Sequence, residues 1–216
     1  TITATSATTF AGTASDASAV YSSGGIAGLG DANETITISS ATSSAADLNT
    51  INTNLANGGT INVSSVTALT GSYSDLSTFY TNRGDFTTTD NIASATLSSG
   101  TIGDAAALQT LSDNLQTNIK SNFAINLTNI TQISGSYSEV YSIVTGLTTT
   151  PADFSNLSGT ALVVDTGTLT TTEANNLSAA TTAAVTATLT TDSLADFNSG
   201  LNSDSNPSGG NAYTLT

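Results

Sequence analysis

Leu69-Thr-Gly-Ser-Tyr-Ser-Asp75-Leu-Ser-Thr-Phe-Tyr80 carries, in twelve residues, the pattern on which the rest of the chain is built. Ser72 is followed three residues later by Asp75, and then by Leu76, Phe79 and Tyr80 at helical spacing. A hydroxyl at the cap position accepts a hydrogen bond from the third helical N–H, while an acid at that third position reaches back to the cap N–H. The phrase therefore predicts a short amphipathic helix opened by a capping box. It recurs in Phe10-Ala-Gly-Thr-Ala-Ser-Asp16-Ala-Ser-Ala-Val-Tyr21 and Ile133-Ser-Gly-Ser-Tyr-Ser-Glu139-Val-Tyr-Ser-Ile-Val144. Shorter relatives are Ser44-Ala-Ala-Asp47-Leu-Asn-Thr-Ile51, Asp104-Ala-Ala-Ala107-Leu-Gln-Thr-Leu111, Thr170-Thr-Thr-Glu173-Ala-Asn-Asn-Leu177 and Ser193-Leu-Ala-Asp196-Phe197. Anchored on the acid, or on Ala107 in the fourth copy, the steps are 31, 28, 32, 32, 34 and 23 residues.

Working outward, each helix phrase follows an alternating, β-branched stretch. These are Thr3-Ala-Thr5, Thr35-Ile-Thr-Ile38, Ile61-Asn-Val63, Ala95-Thr-Leu97, Ala124-Ile-Asn-Leu127, Leu162-Val-Val164 and Val185-Thr-Ala-Thr-Leu189. Period two with β-branched residues signals a strand. Links rich in Gly and Asn, such as Asn57-Gly-Gly59 and Thr81-Asn-Arg-Gly84, supply the returning turns. Strand, helix and strand at this spacing favour parallel strands joined by crossovers. The expected fold is an α/β repeat solenoid with a parallel β-sheet, one strand plus one short helix per unit. A single array over residues 1–216 would divide at about 1–32, 33–59, 60–91, 92–122, 123–159, 160–184 and 185–216, each unit burying its apolar face on its neighbours.

Composition narrows the chemistry. Sixteen acids against Arg83 and Lys120 give a net charge of −14, which repels nucleic acid and anionic lipid. Only 8% of residues are charged while 38% are hydrophobic, so charge-driven disorder is not expected. The absence of Cys and His removes disulfides, thiolates, imidazole catalysis and the commonest transition-metal ligands. No apolar run approaches the length of a membrane span. Lys120 has no recognisable partner motif for nucleophilic chemistry, and the expectation is a protein that is not an enzyme.

The repeated acids are the obvious candidates for a site. Stacked in register, they would suggest a calcium ladder, since hard cations take several oxygens. Helix capping explains the same spacing without a metal, and the pairs Ser44/Asp47, Ser72/Asp75, Ser136/Glu139 and Thr170/Glu173 are assigned that structural role. Loop acids Asp31, Glu34, Asp85 and Asp90, with Asp153, are left as weak calcium ligands or as solvated loop residues. Tyr73 and Tyr137 hold equivalent positions, and Tyr21 and Tyr80 end their helices. Their rings suit the rim of a core better than a sugar-binding stack. Threonine pairs Thr3/Thr5, Thr35/Thr37 and Thr186/Thr188 suggest an ice-binding ladder, but the same column becomes Asn62/Ser64 and Asn126/Thr128, which spoils a lattice match.

The phrases Leu69-Thr-Gly-Ser-Tyr-Ser-Asp75, Ala45-Ala-Asp47-Leu-Asn-Thr-Ile51 and Gly59-Thr-Ile-Asn-Val63 resemble the Thr/Ala/Asp-rich repeats of giant cell-surface proteins of marine picocyanobacteria, whether S-layer, adhesin-like or motility-associated. Cyanophage fibre proteins carry similar repeats. The resemblance implies an extracellular structural role at the cell surface, in a layer, filament or adhesin stalk, and carries over no site residues or cofactor. The alternative expectation is a calcium-dependent polysaccharide-binding or ice-binding adhesin module. Residues 1–10 and 211–216 both read as ordinary repeat strands. The array is therefore expected to continue in a longer chain or to self-associate head to tail.

Overall fold

The computed structural model describes residues 2–3, 8–23, 26–27, 29, 34–55, 59–190 and 210–216. They form two compact units, Thr1–Thr96 with Asn114–Phe123, and Leu97–Asp113 with Ala124–Thr216. In chain order the first unit carries β1 (Ile2–Thr3), β2 (Thr9–Gly12), α1 (Ala14–Ser22), β3 (Ile26–Ala27), β4 (Thr35–Ile38), β5 (Thr42–Ser44) and α2 (Ala45–Asn54). It continues through β6 (Thr60–Asn62), β7 (Ala68–Gly71), α3 (Tyr73–Thr81), β8 (Phe86–Thr87) and β9 (Ser94–Leu97). The chain then runs through β10 (Gly100–Ile102), α4 (Ala105–Asn118), β11 (Ala124–Asn126), β12 (Ile130–Ser136), α5 (Tyr137–Gly146), β13 (Phe154–Ser155), β14 (Ala161–Thr166), α6 (Thr171–Ser178), β15 (Val185–Leu189) and β16 (Ala212–Leu215). The fold is α/β, with three larger sheets that are parallel throughout.

The parallel strands agree with the sequence reading, but the expected single strand per unit is corrected. Two strands in different sheets precede most helices: β4 and β5 before α2, β6 and β7 before α3, β11 and β12 before α5, and β13 and β14 before α6. A tight corner separates three of these pairs. Val66 N donates to Val63 O at 2.9 Å, Ile130 N to Leu127 O at 2.9 Å, and Thr160 N to Leu157 O at 2.9 Å. Both residues of every such corner point inward and are buried. The polar residues between them turn outward, so the chain bends without exposing apolar surface.

In the first unit, Phe10, Ile36, Ile61 and Phe86 pair in succession along β2, β4, β6 and β8, at steps of 26, 25 and 25 residues. In the second, Ile102, Ile133, Leu162 and Val185 do the same along β10, β12, β14 and β15. Ile36, Ile61, Ile133, Leu162 and Val185 are wholly buried. Alternation at period two puts these residues on one face, and parallel register stacks like upon like. Each helix closes its turn of chain with a buried stripe: Leu48 and Ile51 in α2, Leu76 and Phe79 in α3, Val140 and Ile143 in α5.

The same register corrects the threonine columns. Thr35 pairs with Thr9 and Thr60, and Thr37 with Ala11 and Asn62, so Thr35/Thr37 is matched by Thr60/Asn62, two residues away from the expected Asn62/Ser64. Ser64 and Thr128 leave the strands altogether, because Asn62 Oδ1 accepts from Ser64 N at 2.9 Å and Asn126 Oδ1 from Thr128 N at 3.0 Å. These side-chain turns end β6 and β11. The expected seventh helix at Ser193 to Phe197 lies outside the described residues, as does Thr5.

Candidate functional site

The only recurrent polar constellation suggested by the sequence is the acid at each helix start, and the structure shows what those acids contact. Ser72 Oγ accepts from Asp75 N at 3.1 Å, while Asp75 Oδ2 accepts from Ser72 N at 3.0 Å and from Ser72 Oγ at 2.6 Å. Thr170 and Glu173 repeat the arrangement, with Glu173 N donating to Thr170 Oγ1 at 3.3 Å and Glu173 Oε2 accepting from Thr170 N at 2.8 Å. In the longer side chain of Glu139, Oε2 accepts from Ser136 N at 2.7 Å. Ser44 caps more simply, accepting from Asp47 N at 3.2 Å. These groups satisfy donors that helix geometry leaves without intrahelical partners, and each carboxylate lies at the positive end of a helix dipole.

Two further caps complete the set, the first expected from the recurring phrase and the second unassigned in the sequence. Thr13 accepts from Asp16 N at 3.1 Å and donates to Asp16 Oδ2 at 2.8 Å. Asp104 replaces hydroxyl and acid together, its own Oδ1 accepting from Ala107 N at 2.9 Å. Anchoring the fourth copy on Ala107 hid this. The signal was present, since Asp is itself among the best N-caps.

The loop acids do not assemble. Asp31 lies outside the described residues. Asp85, exposed in a single 3₁₀ turn (Arg83–Asp85), accepts from Asn52 Nδ2 at 2.9 Å through Oδ2. Asp90 is exposed in another such turn (Thr89–Asn91). Glu34 is the surprise: it is buried rather than solvated, and its backbone oxygen accepts from Thr60 N at 2.8 Å. Its charge acts on Tyr21, whose phenol is pushed up to about 12, first by burial and then by Glu34. Among the described residues, no three acids converge on one point.

The aromatic residues form rims and contacts between neighbouring elements. Tyr21 is buried, edge-on to Phe10 at 6.2 Å between ring centres. Tyr137 stacks on Tyr141 at 5.2 Å along α5. Tyr80 accepts from Asn118 Nδ2 at 3.1 Å and lies under the Arg83 guanidinium, 4.4 Å from the ring centre. Half of the chain's basic side chains are thus committed to an aromatic face. The polar groups are chiefly occupied in holding turns of chain together: Asn49 Nδ2 donates to Asp75 O at 2.9 Å, tying α2 to α3, and Thr160 Oγ1 donates to Ile130 O at 2.9 Å across adjacent turns. Compared with known proteins, the chain matches no family, no characterised protein and no solved structure.

Proposed function

We propose that this chain is extracellular structural material, a stretch of α/β solenoid with two strands and a helix per turn that builds part of a surface layer, filament or adhesin stalk. One observation carries the reading. The same inward ladder and helix cap, and at three places the same corner, are rebuilt from interchangeable residues, and the repeated acids of the described residues are engaged in caps instead of facing a common point. A protein selected for a ligand concentrates unlike residues at one place, whereas a protein selected to extend repeats one solution. The resemblance to surface-protein repeats supports an outside location, and the −14 charge disfavours nucleic acid as a partner.

Thermal melting with and without millimolar calcium tests this reading against that of a binding module. The structural reading expects the midpoint to be indifferent to calcium, and to acidic polysaccharide with calcium present. A midpoint that climbs with either concentration marks a ligand that binds the native state, and would move the function to a calcium-dependent adhesin. Ice recrystallisation assays address the threonine faces in the same way, with no inhibition expected.

A further inference from the structure

Asn62-Val63-Ser64 and Asn126-Leu127-Thr128 open two of the tight corners, and both have the form Asn-x-Ser/Thr that accepts N-linked sugar on a surface loop. Among the described residues three other segments share it: Asn129-Ile-Thr131, Asn156-Leu-Ser158 and Asn176-Leu-Ser178. In a chain so rich in Ser and Thr the form alone decides nothing. What separates the five is the state of the two groups that the transfer uses, the amide nitrogen and the hydroxyl two residues on.

In three of the segments the fold has already engaged one or both groups. Asn129 Nδ2 donates to Leu97 O at 3.2 Å, and Thr131 Oγ1 to Gly100 O at 3.1 Å. Asn156 Nδ2 donates to Asn126 Oδ1 at 3.0 Å. The Ser178 hydroxyl is buried and accepts from Asn211 Nδ2 at 3.0 Å. The two remaining segments are alike and different from these. Asn62 Oδ1 accepts from Ser64 N at 2.9 Å and Asn126 Oδ1 from Thr128 N at 3.0 Å, so each amide oxygen is held in its corner and the nitrogen is directed away from it. Among the described residues neither nitrogen, nor the hydroxyl of Ser64 or Thr128, has a protein partner. Val63 and Leu127 between them are wholly buried, which anchors each corner, while Thr128 is exposed and Asn62, Ser64 and Asn126 are partly so.

We propose that Asn62 and Asn126 are N-glycosylation sites, modified on the folded chain by a polyprenyl-diphosphate-linked glycan. The inference rests on the extracellular reading above, because such a donor is met on export, and it adds a covalent coat at the corners. In the transfer the amide nitrogen attacks the anomeric carbon of the donor's first sugar. The C–N bond forms as the bond from that carbon to the diphosphate oxygen breaks, its electron pair leaving with the diphosphate and one amide proton passing to a base of the transferring enzyme. An asparagine nitrogen starts with two hydrogens and keeps one. Neither is needed by the fold at Asn62 or Asn126, so the corner survives the addition with its hydrogen bond to Oδ1 intact.

Trypsin divides the denatured chain only after Arg83 and Lys120, which supplies an internal control. Residues 1–83 hold Asn62 and also Asn33, which lies outside the described residues; residues 84–120 hold no Asn-x-Ser/Thr; residues 121–216 hold the other four. Chain collected from the surface of producing cells should weigh more than 21.5 kDa. Fragment 84–120 should keep its sequence mass, and fragmentation of the other two in the mass spectrometer should place the addition on Asn62 and Asn126. Ser64→Ala and Thr128→Ala leave both amides and their backbone partners in place, and each should remove the addition at its own site, as Asn62→Gln and Asn126→Gln should. Surface chain at its sequence mass would overturn the proposal and leave the structural reading standing. So would sugar on Asn129, Asn156 or Asn176 as fully as on the corner pair, or sugar that survives Ser64→Ala and Thr128→Ala. Chain found only inside the cell would overturn the structural reading and the proposal together.

Discussion

At Gly135 a methyl group would sit 2.9 Å from Glu139 Oε2 and 3.3 Å from Ala105 Cβ, pressed between the cap of α5 and the start of the preceding helix α4. Gly84 has open space around the same position. Gly135→Ala is therefore expected to cost about 1–3 kcal/mol through overpacking, and Gly84→Ala to stay within roughly 0.5 kcal/mol of neutral, both measured by urea unfolding. Ser72→Ala removes a cap and leaves the Asp75 N–H without its hydroxyl, an expected loss of about 0.5–2 kcal/mol. Tyr21 supplies a pH signature. Its phenol is raised to about 12 in the folded state from 10.0, so the neutral form is favoured by folding. The folded chain then holds a proton that the unfolded chain releases. The associated stability is complete below pH 10 and falls as pH rises towards 12. Unfolding midpoints between pH 9 and 12 should drop more steeply in the native chain than in Tyr21→Phe. Parallel curves would show that Tyr21 ionises as freely folded as unfolded.

Among the elements, the inward ladders hold the sheets in register. Ile61→Ala and Leu162→Ala remove wholly buried side chains stacked between like neighbours on both sides. Each should cost about 2–5 kcal/mol in unfolding free energy. Thr60, on the outward face of the same strand as Ile61, should tolerate Ala within about 1 kcal/mol despite its 3.1 Å hydrogen bond to Thr35 Oγ1. The two faces of β6 thus differ in cost as their alternation in sequence suggests. The helices were legible because capping chemistry is local: Ser72 and Asp75 announce α3 without reference to any other part of the chain. Long alternations such as Thr35-Ile-Thr-Ile38 and Val185-Thr-Ala-Thr-Leu189 were legible for the same reason. The strands running directly into helices were not. Ala68-Leu-Thr-Gly71 and Gly100-Thr-Ile102 are too short to show a period. What makes them strands is a neighbour some 26 to 31 residues away, Leu69 pairing with Ser43 and Ile102 with Ile133. The corner Val63-Ser-Ser-Val66 hid in the same way, because two valines three apart declare a bend only when both are buried.

For the molecule as a whole, the reading of the acids depended on distance in space. Sequence spacing placed them at helix starts, where the structure finds Asp16, Asp47, Asp75, Glu139 and Glu173. It could not foretell that Glu34 is buried beside Tyr21, since those residues are brought together by the return of the chain from α1 to β4. Resistance to trypsin is expected from the scarcity of basic residues and from local folding at the two present. Arg83 stands in a 3₁₀ turn with Nη1 donating to Tyr80 O at 3.1 Å, and Lys120 O accepts from Phe123 N at 2.9 Å in a tight turn. A protease needs these segments extended, so native chain should outlast urea-unfolded chain by on the order of a hundredfold in trypsin, at low salt and at seawater strength alike. The central claim is that the chain is built to be external material, and gold-labelled antibody applied to intact producing cells, viewed in section by electron microscopy, tests it most directly. A continuous band or fibres of label outside the envelope, surviving a trypsin wash, is the predicted result. Label confined to the cell interior, or absent from the surface while soluble protein accumulates, would contradict it.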